Sequence, residues 1–487
     1  MPYSTTPAII VLCISAGGAL AQPLNVTVTR LYRDGDVIST PSSEFIGAAT
    51  SFGGVAVNNA GSDLVEVTTN GTDANTNLVV MRDGVLFARE NDPVGIGAVA
   101  ISSFDSININ ASGNVAWNNF FRNATTSTDS GIRFNSTLVM QESTVSTSPA
   151  FTSPTPYIGF FEVRGDDNND FMVMASVDDP AITSTVDRAV VVFDYNAANN
   201  TFTENVLAKE GDVLPGMTAA VADFGTAPET MARSSNGLHT MYVVSSVGGA
   251  QDTIYDNSVA VVQEGQASPV AGRTYLSLGG TPVSVNDSGA YAFRATLSGD
   301  TATDSVIVKG NQIIAQEGSS SPAIPGFQFT GFGTGPVLID NDGGVLWFGD
   351  WNDPDLTRDR GLFHDQQLIL REGDVVDGET INTILGVSTG YNQSPDGRSV
   401  IVKVTLGTST DAVLLLTLGS GCDDIDFNAD GLFPDTADID DFLSVFSGGP
   451  CSNDPSCHDI DFNNDTLFPD TLDIDSLLSV FSGGPCL

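Results

Sequence analysis

Asp304-Ser305-Val306-Ile307-Val308-Lys309, then Gly310-Asn311, then Gln312-Ile313-Ile314-Ala315-Gln316-Glu317-Gly318: two apolar runs are joined by a two-residue turn, and the second ends on Glu-Gly. Such a turn accepts the positive φ of a tight hairpin, and the flanking runs are strand material. The ending recurs as Arg89-Glu90-Asn91-Asp92, Gln141-Glu142-Ser143, Lys209-Glu210-Gly211-Asp212, Gln263-Glu264-Gly265 and Arg371-Glu372-Gly373-Asp374, with a worn first copy, Arg33-Asp34-Gly35-Asp36. Taking Asp34 and the six glutamates as anchors, the spacings are 56, 52, 68, 54, 53 and 55 residues. That is near the size of a four-stranded propeller blade, and seven anchors predict seven blades.

A second phrase, Asn or Asp followed by Gly and then alternating apolar residues, lies between the anchors. It is clearest in Asn286-Asp287-Ser288-Gly289-Ala290-Tyr291-Ala292-Phe293 and recurs from Asn110 to Trp117, from Asp340 to Trp347 and from Asp396-Gly397 to Val402. These are hairpin turns, each followed by a half-buried strand. At the chain ends the anchor hairpin is split: Asp411 to Leu418 supplies a first strand without a second, and Asn25 to Tyr32 a second without a first. Pairing the two closes a ring and removes the exposed sheet edges of an open array. The fold class expected is mostly β, a seven-bladed propeller-like repeat domain over 22–419, followed by a small α-helical tail over 420–487.

Residues 1–21 combine an apolar run from Ala8 to Leu20 with Ala19-Leu20-Ala21 and predict a signal peptide, hence a secreted, extracellular protein. No later segment is apolar and long enough to predict a transmembrane span. With 60 acidic against 18 basic residues the net charge is −42, which excludes nucleic acid as a partner because every phosphate would be repelled. Within the repeat domain the glutamate corners belong to the repeat, whereas catalysis needs one asymmetric constellation. Gly386-Val387-Ser388-Thr389-Gly390 has the spacing of a nucleophile elbow, but its surroundings read as strand and turn, and the only later histidine is His458, inside the tail. Arg164-Gly165-Asp166 occupies a turn slot, and no catalytic residue is assigned. The unit from Glu142 to Glu210 is about 14 residues longer than its neighbours, and its Asp166-Asp167-Asn168-Asn169-Asp170 and Asn196 to Asn200 mark it as the place for a binding loop.

The segment from Gly421 to Leu487 holds 15 Asp and no Glu, Lys or Arg, and it is an internal duplication at an offset of 35. Asp426-Phe427-Asn428-Ala429-Asp430-Gly431 presents side-chain oxygens on alternate residues, as an EF-hand-type loop does around a hard cation. Asp435 and Asp438 follow, and Asp438 is expected to open a helix with Ile439, Phe442, Leu443 and Phe446 on its apolar face. Cys422, Cys451, Cys457 and Cys486 are an even set in an exported chain. They bracket the two copies with the same 29-residue separation, which predicts Cys422–Cys451 and Cys457–Cys486, other pairings staying open.

The Asn286 to Phe293 stretch resembles the NxxGxxAF tandem repeat of secreted bacterial choice-of-anchor proteins, loosely over 25–418. Residues 422–486 resemble a GC-type dockerin. That resemblance implies Ca2+ as the bound ion, held in the first copy by Asp426, Asn428, Asp430, Leu432, Asp435 and Asp438, with the shares of Asp435 and Asp438 open because Asp438 falls one residue late. The second copy offers Asp461, Asn463, Asp465, Leu467, Asp470 and Asp473, with Thr466 where the turn glycine would stand. It further implies a cohesin-like receptor or a cell-envelope component as the partner of the tail. The function expected is a secreted or cell-surface binding or structural protein whose propeller, with a glycan as its ligand, is displayed through a calcium-dependent anchor. The alternative is an extracellular polysaccharide hydrolase or lyase, which requires a single cluster of non-repeated carboxylates on one propeller face.

Overall fold

The computed structural model describes residues 8–9, 26–38, 44–47, 51–182 and 187–419 apart from 197, 200 and 250, and 422–482 apart from 424, 431, 433–434, 454–456, 458–459 and 464–468. It divides into two compact units, one of residues 30–415 and one combining 1–29 with 416–487.

The first unit is a seven-bladed β-propeller. Blades 1 to 6 cover 52–89, 100–141, 157–209, 221–263, 275–316 and 329–371, each an antiparallel sheet whose strands follow chain order from the axis outward. In blade 7 the order runs from Glu379–Ile384 through Ser399–Leu406 and Thr410–Leu418 to Val26–Arg33, so the N-terminal strand completes the last sheet. The Asp34 amide donates to the Asp411 carbonyl at 3.0 Å, and the Asp411 amide donates back to the Asp34 carboxylate at 2.9 Å. Ring closure by the split hairpin is therefore present. Ala8–Ile9, inside the expected signal peptide, pairs with Thr27 and Val28; the rest of 1–21 lies outside the described residues.

The Glu-Gly phrase is a corner that passes the chain to the next blade. Its second residue has positive φ in all seven copies: Gly35, Asn91, Ser143, Gly211, Gly265, Gly318 and Gly373. From there its amide donates to the next inner strand, as Gly211 does to Val221 at 2.9 Å and Gly265 to Tyr275 at 2.8 Å. The glutamate side chain turns back to cap the third strand: Leu78, Asp252 and Ser305 amides donate to Glu90, Glu264 and Glu317. The repeated carboxylates are thus consumed by backbone.

The second phrase forms a turn at the inner end of every blade, and these turns are stitched into a closed circle. Asn58 Nδ2 donates to the Asn110 carbonyl, Asn110 Nδ2 to the Asp166 carbonyl, and the Asp167 amide to the Ser235 carbonyl. The Asn236 amide then donates to Asp287 Oδ1, the Asp287 amide to Asn341 Oδ1, the Asn341 amide to the Pro395 carbonyl, and the Asp396 amide to Asn59 Oδ1. Between blades the core is apolar; Met172, Met174, Val190 and Val192 of blade 3 pack on Phe224, Met231, Tyr242 and Val244 of blade 4. Each such buried side chain contributes about 1.5–3 kcal/mol.

In blade 3 the turn slot at Asp166 is present, and the placing of the extra length in a loop is corrected. The run from Asp166 to Asp170 is the regular turn of this circle, with Asp166 Oδ1 accepting the Asn168 and Asp170 amides and Oδ2 paired with Arg233 at 2.7 Å. Much of the extra length lies in the outer hairpin, where Asp187–Asn196 and Thr201–Lys209 have 10 and 9 residues against five in blades 4 to 6.

In the tail, two helices, Thr436–Phe446 and Thr471–Phe481, have 11 residues each. The first begins earlier than expected because Asp435, not Asp438, is its N-cap: Asp435 accepts the Ala437 amide, and Asp438 at the third helical position accepts the Asp435 amide at 3.0 Å. Phe427, Phe442, Phe462 and Leu477 form a core shared by both copies. The expected disulfide pairing is also corrected. Cys451 bonds to Cys457, their Cα atoms 6.5 Å apart, because the end of the first copy and the start of the second lie side by side across a short linker. Cys422 is disulfide-bonded as well, and Cys486 lies outside the described residues.

The corner geometry makes a direct prediction. Gly265 has φ of +80° with nothing within 4 Å of the place a Cβ would take, so a substitution there meets backbone strain alone. Gly265→Ala is expected to lower the unfolding free energy by about 1–2 kcal/mol, measured as a shift of the denaturant midpoint at constant slope.

Candidate functional site

In blades 1 to 3 the inner strand is continuous, whereas in blades 4 to 7 it breaks into two pieces that both pair with the second strand. The breaks bring short irregular segments to the axis. In blade 4 the break contains the 3-10 turn Pro228–Thr230, and in blade 7 it spans 385–390 between Glu379–Ile384 and Tyr391–Gln393.

A cavity of about 230 Å³ lies on this axis, lined by all seven blades. Its lining residues come only from the middle of each inner strand to its turn: Gly54 to Val57, Asp105 to Ile109, Glu162 to Gly165 and their equivalents, up to Asn286, Asn341 and Pro395. The cavity therefore runs from the circle of turns to mid-strand depth. Its deep level carries polar side chains that only some of the blades supply. Glu162 is 2 % exposed and ion-paired with Arg164 at 2.7 Å, and Arg164 also donates to the Pro228 carbonyl at 2.5 Å. Asp105 accepts from Asn118 Nδ2 at 2.8 Å. Ser388 Oγ donates to Glu229 Oε2 at 2.5 Å. Blades 4 and 7 are not neighbours in a ring of seven, so this last bond crosses the axis.

Behind this level, Lys403 Nζ donates to the Gly53 carbonyl at 2.7 Å and to Thr389 Oγ1 at 3.0 Å; burial lowers its pKa to about 8, with Glu66 and Asp411 opposing. Burial likewise pushes Glu162 up to about 7, with Arg164 opposing and Asp105 and Glu229 adding to the shift.

The candidate elbow is explained by packing. A Cβ on Gly390 would meet the Leu385 carbonyl and one on Gly386 the Phe348 ring, so both glycines are needed for the blade 7 break to fold against its neighbours. No helix follows Ser388, and the two histidines of the propeller are paired elsewhere: His239 with Asp256 at 2.7 Å and His364 with Asp340 at 2.8 Å. Ser388 is nonetheless inside the cavity, which its sequence context did not indicate. Asp105, Glu162 and Glu229 had no sequence signal.

In the tail, Asp426, Asn428, Asp461 and Asn463 are buried, and Asp438 and Asp473 are fully so. The Asp430 amide donates to Asp426 Oδ1 and Asn428 Oδ1, and the Leu432 amide to Asp430 Oδ1, which curls the first loop around its own carboxylates. Asp470 caps the second helix as Asp435 caps the first. Asp473 Oδ1 is buried with no hydrogen-bond partner. Among the described residues no three His, Cys, Asp or Glu side chains converge as a metal-ligand group; Asp465 and Leu467 lie outside the described residues.

Residues 236–391 match a family of unknown function, DUF7453. No curated protein sequence matches the chain. Among solved structures, the chain is similar to an oligogalacturonate lyase from Vibrio parahaemolyticus at 12 % identity and a TM-score of 0.41, covering 82 % of this chain and 98 % of that one. It is also similar to the Dos1 propeller, at 8 % identity and a TM-score of 0.35 over 81 % of this chain and 92 % of that one. A third similarity is to TolB from Acinetobacter baumannii, at 11 % identity and a TM-score of 0.32 over 62 % and 64 %. At these identities the likeness concerns fold and carries nothing about ligand or activity.

The electrostatics of the cavity floor predict a pH dependence. A carboxyl that holds its proton more tightly folded than unfolded lends stability below its unfolded value and loses it as the pH climbs through the folded one. For Glu162 that window runs from 4.5 to about 7. The melting temperature should fall between pH 5 and pH 7.5, and fall less in Glu162→Gln, whose amide cannot ionise. Equal slopes in the two proteins would refute a proton held at Glu162.

Proposed function

We propose that the chain is an exported binding protein whose propeller takes a small polar ligand in its axial cavity and is displayed through a calcium-stabilised C-terminal module. The observation that carries the binding reading is the division of labour among polar groups. The repeated glutamates are consumed by strand caps, while Asp105, Glu162, Arg164, Glu229 and Ser388, each found in a single blade, meet at one cavity. A volume of about 230 Å³ is below the roughly 300–1,000 Å³ of drug-sized pockets and fits a molecule of monosaccharide size.

The same convergence favours a second reading, an extracellular polysaccharide hydrolase or lyase. Glycoside hydrolysis uses two carboxyl groups in unlike environments, one kept protonated near neutral pH. Glu162, raised by burial, and Asp105 or Glu229 would be that pair. The binding reading is preferred because Glu162 is held by Arg164 and is 2 % exposed, which leaves its carboxyl no open approach.

For the tail, the donor set is of the oxygen-rich kind that a hard cation takes. Asp426, Asn428, Asp430, Asp435, Asp438 and the Leu432 carbonyl would hold it in the first copy, and Asp461, Asn463, Asp470 and the unpartnered oxygen of Asp473 in the second. Calcium there would cross-link carboxylates that otherwise repel, coupling metal binding to folding. The module would then engage a cohesin-like receptor or a component of the cell envelope.

Two measurements on the full chain test these readings. A glycan array scored together with reducing-end release separates binding from turnover: retention without release supports the binding protein, and release abolished by Glu162→Gln supports the enzyme. Calcium titration followed by calorimetry and helical circular dichroism should show binding that Asp430→Ala weakens, with chelation melting helical signal but leaving the β-sheet signal; no heat of binding would end the calcium reading.

A further inference from the structure

The axial cavity has one deep end, and its charge is unequal. The two guanidinium groups among its lining residues both have partners: Arg164 bonds Glu162 and the Pro228 carbonyl, and Arg233 bonds Asp166 at 2.7 Å with both side chains at least 95 % buried. Arg294, within electrostatic reach of Glu229, is turned to the Phe332 and Gly333 carbonyls. Lys403 faces the Gly53 carbonyl and Thr389. Asp105 and Glu229 are left with neutral partners, the Asn118 amide and the Ser388 hydroxyl. An independent feature points to an occupant: Ser284 lines the cavity, is 5 % exposed, and its hydroxyl has no partner.

The circle of turns is the mouth, because every lining residue lies between mid-strand and turn, and the Glu229–Ser388 bond crosses the axis at the floor. A ligand entering through the mouth meets carboxylates last. We propose that the cavity binds a small organic cation, a primary ammonium carried on a hydroxylated molecule of monosaccharide size, with the ammonium group at Asp105 and Glu229. This rests on the axial cavity being the ligand site. An ammonium has three donors and no acceptor, so it suits two carboxylates whose own partners are neutral. Anionic sugars would be opposed by the same two groups. The ligand's hydroxyls would be left for Ser284 and the turn residues near the mouth.

Three probes of one shape and different charge test the proposal: D-glucosamine, D-glucose and D-glucuronate, titrated calorimetrically into the full chain near pH 6. The expected result is binding of glucosamine, affinity for glucose lower by about tenfold or more, and no binding of glucuronate, since a charge-assisted hydrogen bond contributes about 1.5–3 kcal/mol and 1.4 kcal/mol is a factor of ten. Asp105→Asn and Glu229→Gln should each remove most of the preference for glucosamine over glucose. Two variants on different blades guard against a single folding failure, and far-UV circular dichroism checks each. Equal binding of glucosamine and glucose, insensitive to both substitutions, would overturn the ammonium site while leaving an axial sugar site in place. No binding of any probe would overturn both.

Discussion

Seven turns hydrogen-bonded into a circle hold the inner strands of this propeller at a common depth. Each turn opens on a short side chain with an acceptor, Asn58, Asn110, Asp166, Ser234, Asn286, Asp340 or Ser394, that receives amides from its own turn or from the strand that follows. The neighbouring residue or the amide of the same side chain then reaches the next blade. Because these bonds recur at one end of every blade, they hold the blades against sliding along the axis relative to one another. Ring closure at Asp34 and Asp411 completes the outer rim in the same way that the Asn59–Asp396 bond completes the inner one.

A rigid circle has a consequence for where chemistry can lie. Residues in register around it are copies, and their polar groups are consumed by the repeat: glutamates cap strands and asparagines join turns. Unique groups appear where the repeat is broken. The 3-10 turn in blade 4 and the 385–390 segment in blade 7 bulge toward the axis and carry Glu229 and Ser388, while the register shift between Phe160 and Glu162 in blade 3 and that between Phe104 and Ile107 in blade 2 accompany Glu162 and Asp105. Irregularity in the inner strand is thus what furnishes the cavity, as bulges elsewhere re-aim side chains toward functional clefts.

This explains which features were legible in the sequence. The Glu-Gly corner and the Asn-Gly turn depend on residues within a few positions of one another and on positive φ, so they leave a local signature, and seven such corners counted the blades. The turn slot at Asp166 was legible although Asn169 takes its glycine position, whereas the turn at Ser234 was not singled out because Ser opens it, a substitution that preserves the hydrogen bonds but not the letters. The axial cluster had no signature at all. Asp105, Glu162, Glu229 and Ser388 stand five, four, five and six residues before their turns, and only the ring topology brings them together. In the tail, the helix start was misplaced because Asp435 and Asp438 cap it with two aspartates in place of the usual Ser or Thr with Glu.

The Cys451–Cys457 bond changes how the tail must be stabilised. Bonds bracketing each copy would have closed two loops of about 30 residues, each removing more than about 3 kcal/mol of denatured-state entropy in the chain-entropy account. Cys451–Cys457 instead closes a loop of sequence separation 6 at the junction of the copies, a smaller constraint that fixes their linker and leaves neither copy closed on itself. Beside the Cys422 bond, the shared core holds the loops, with Phe442 meeting Phe427 at 5.2 Å and Phe462 of the other copy at 5.9 Å. Two 11-residue helices around one small core are marginal by size alone. Clustered carboxylates add repulsion to that deficit, and a cation bound among them would turn that repulsion into attraction, which is why the physical case for a metal in this unit grows stronger once neither copy is bracketed by its own disulfide.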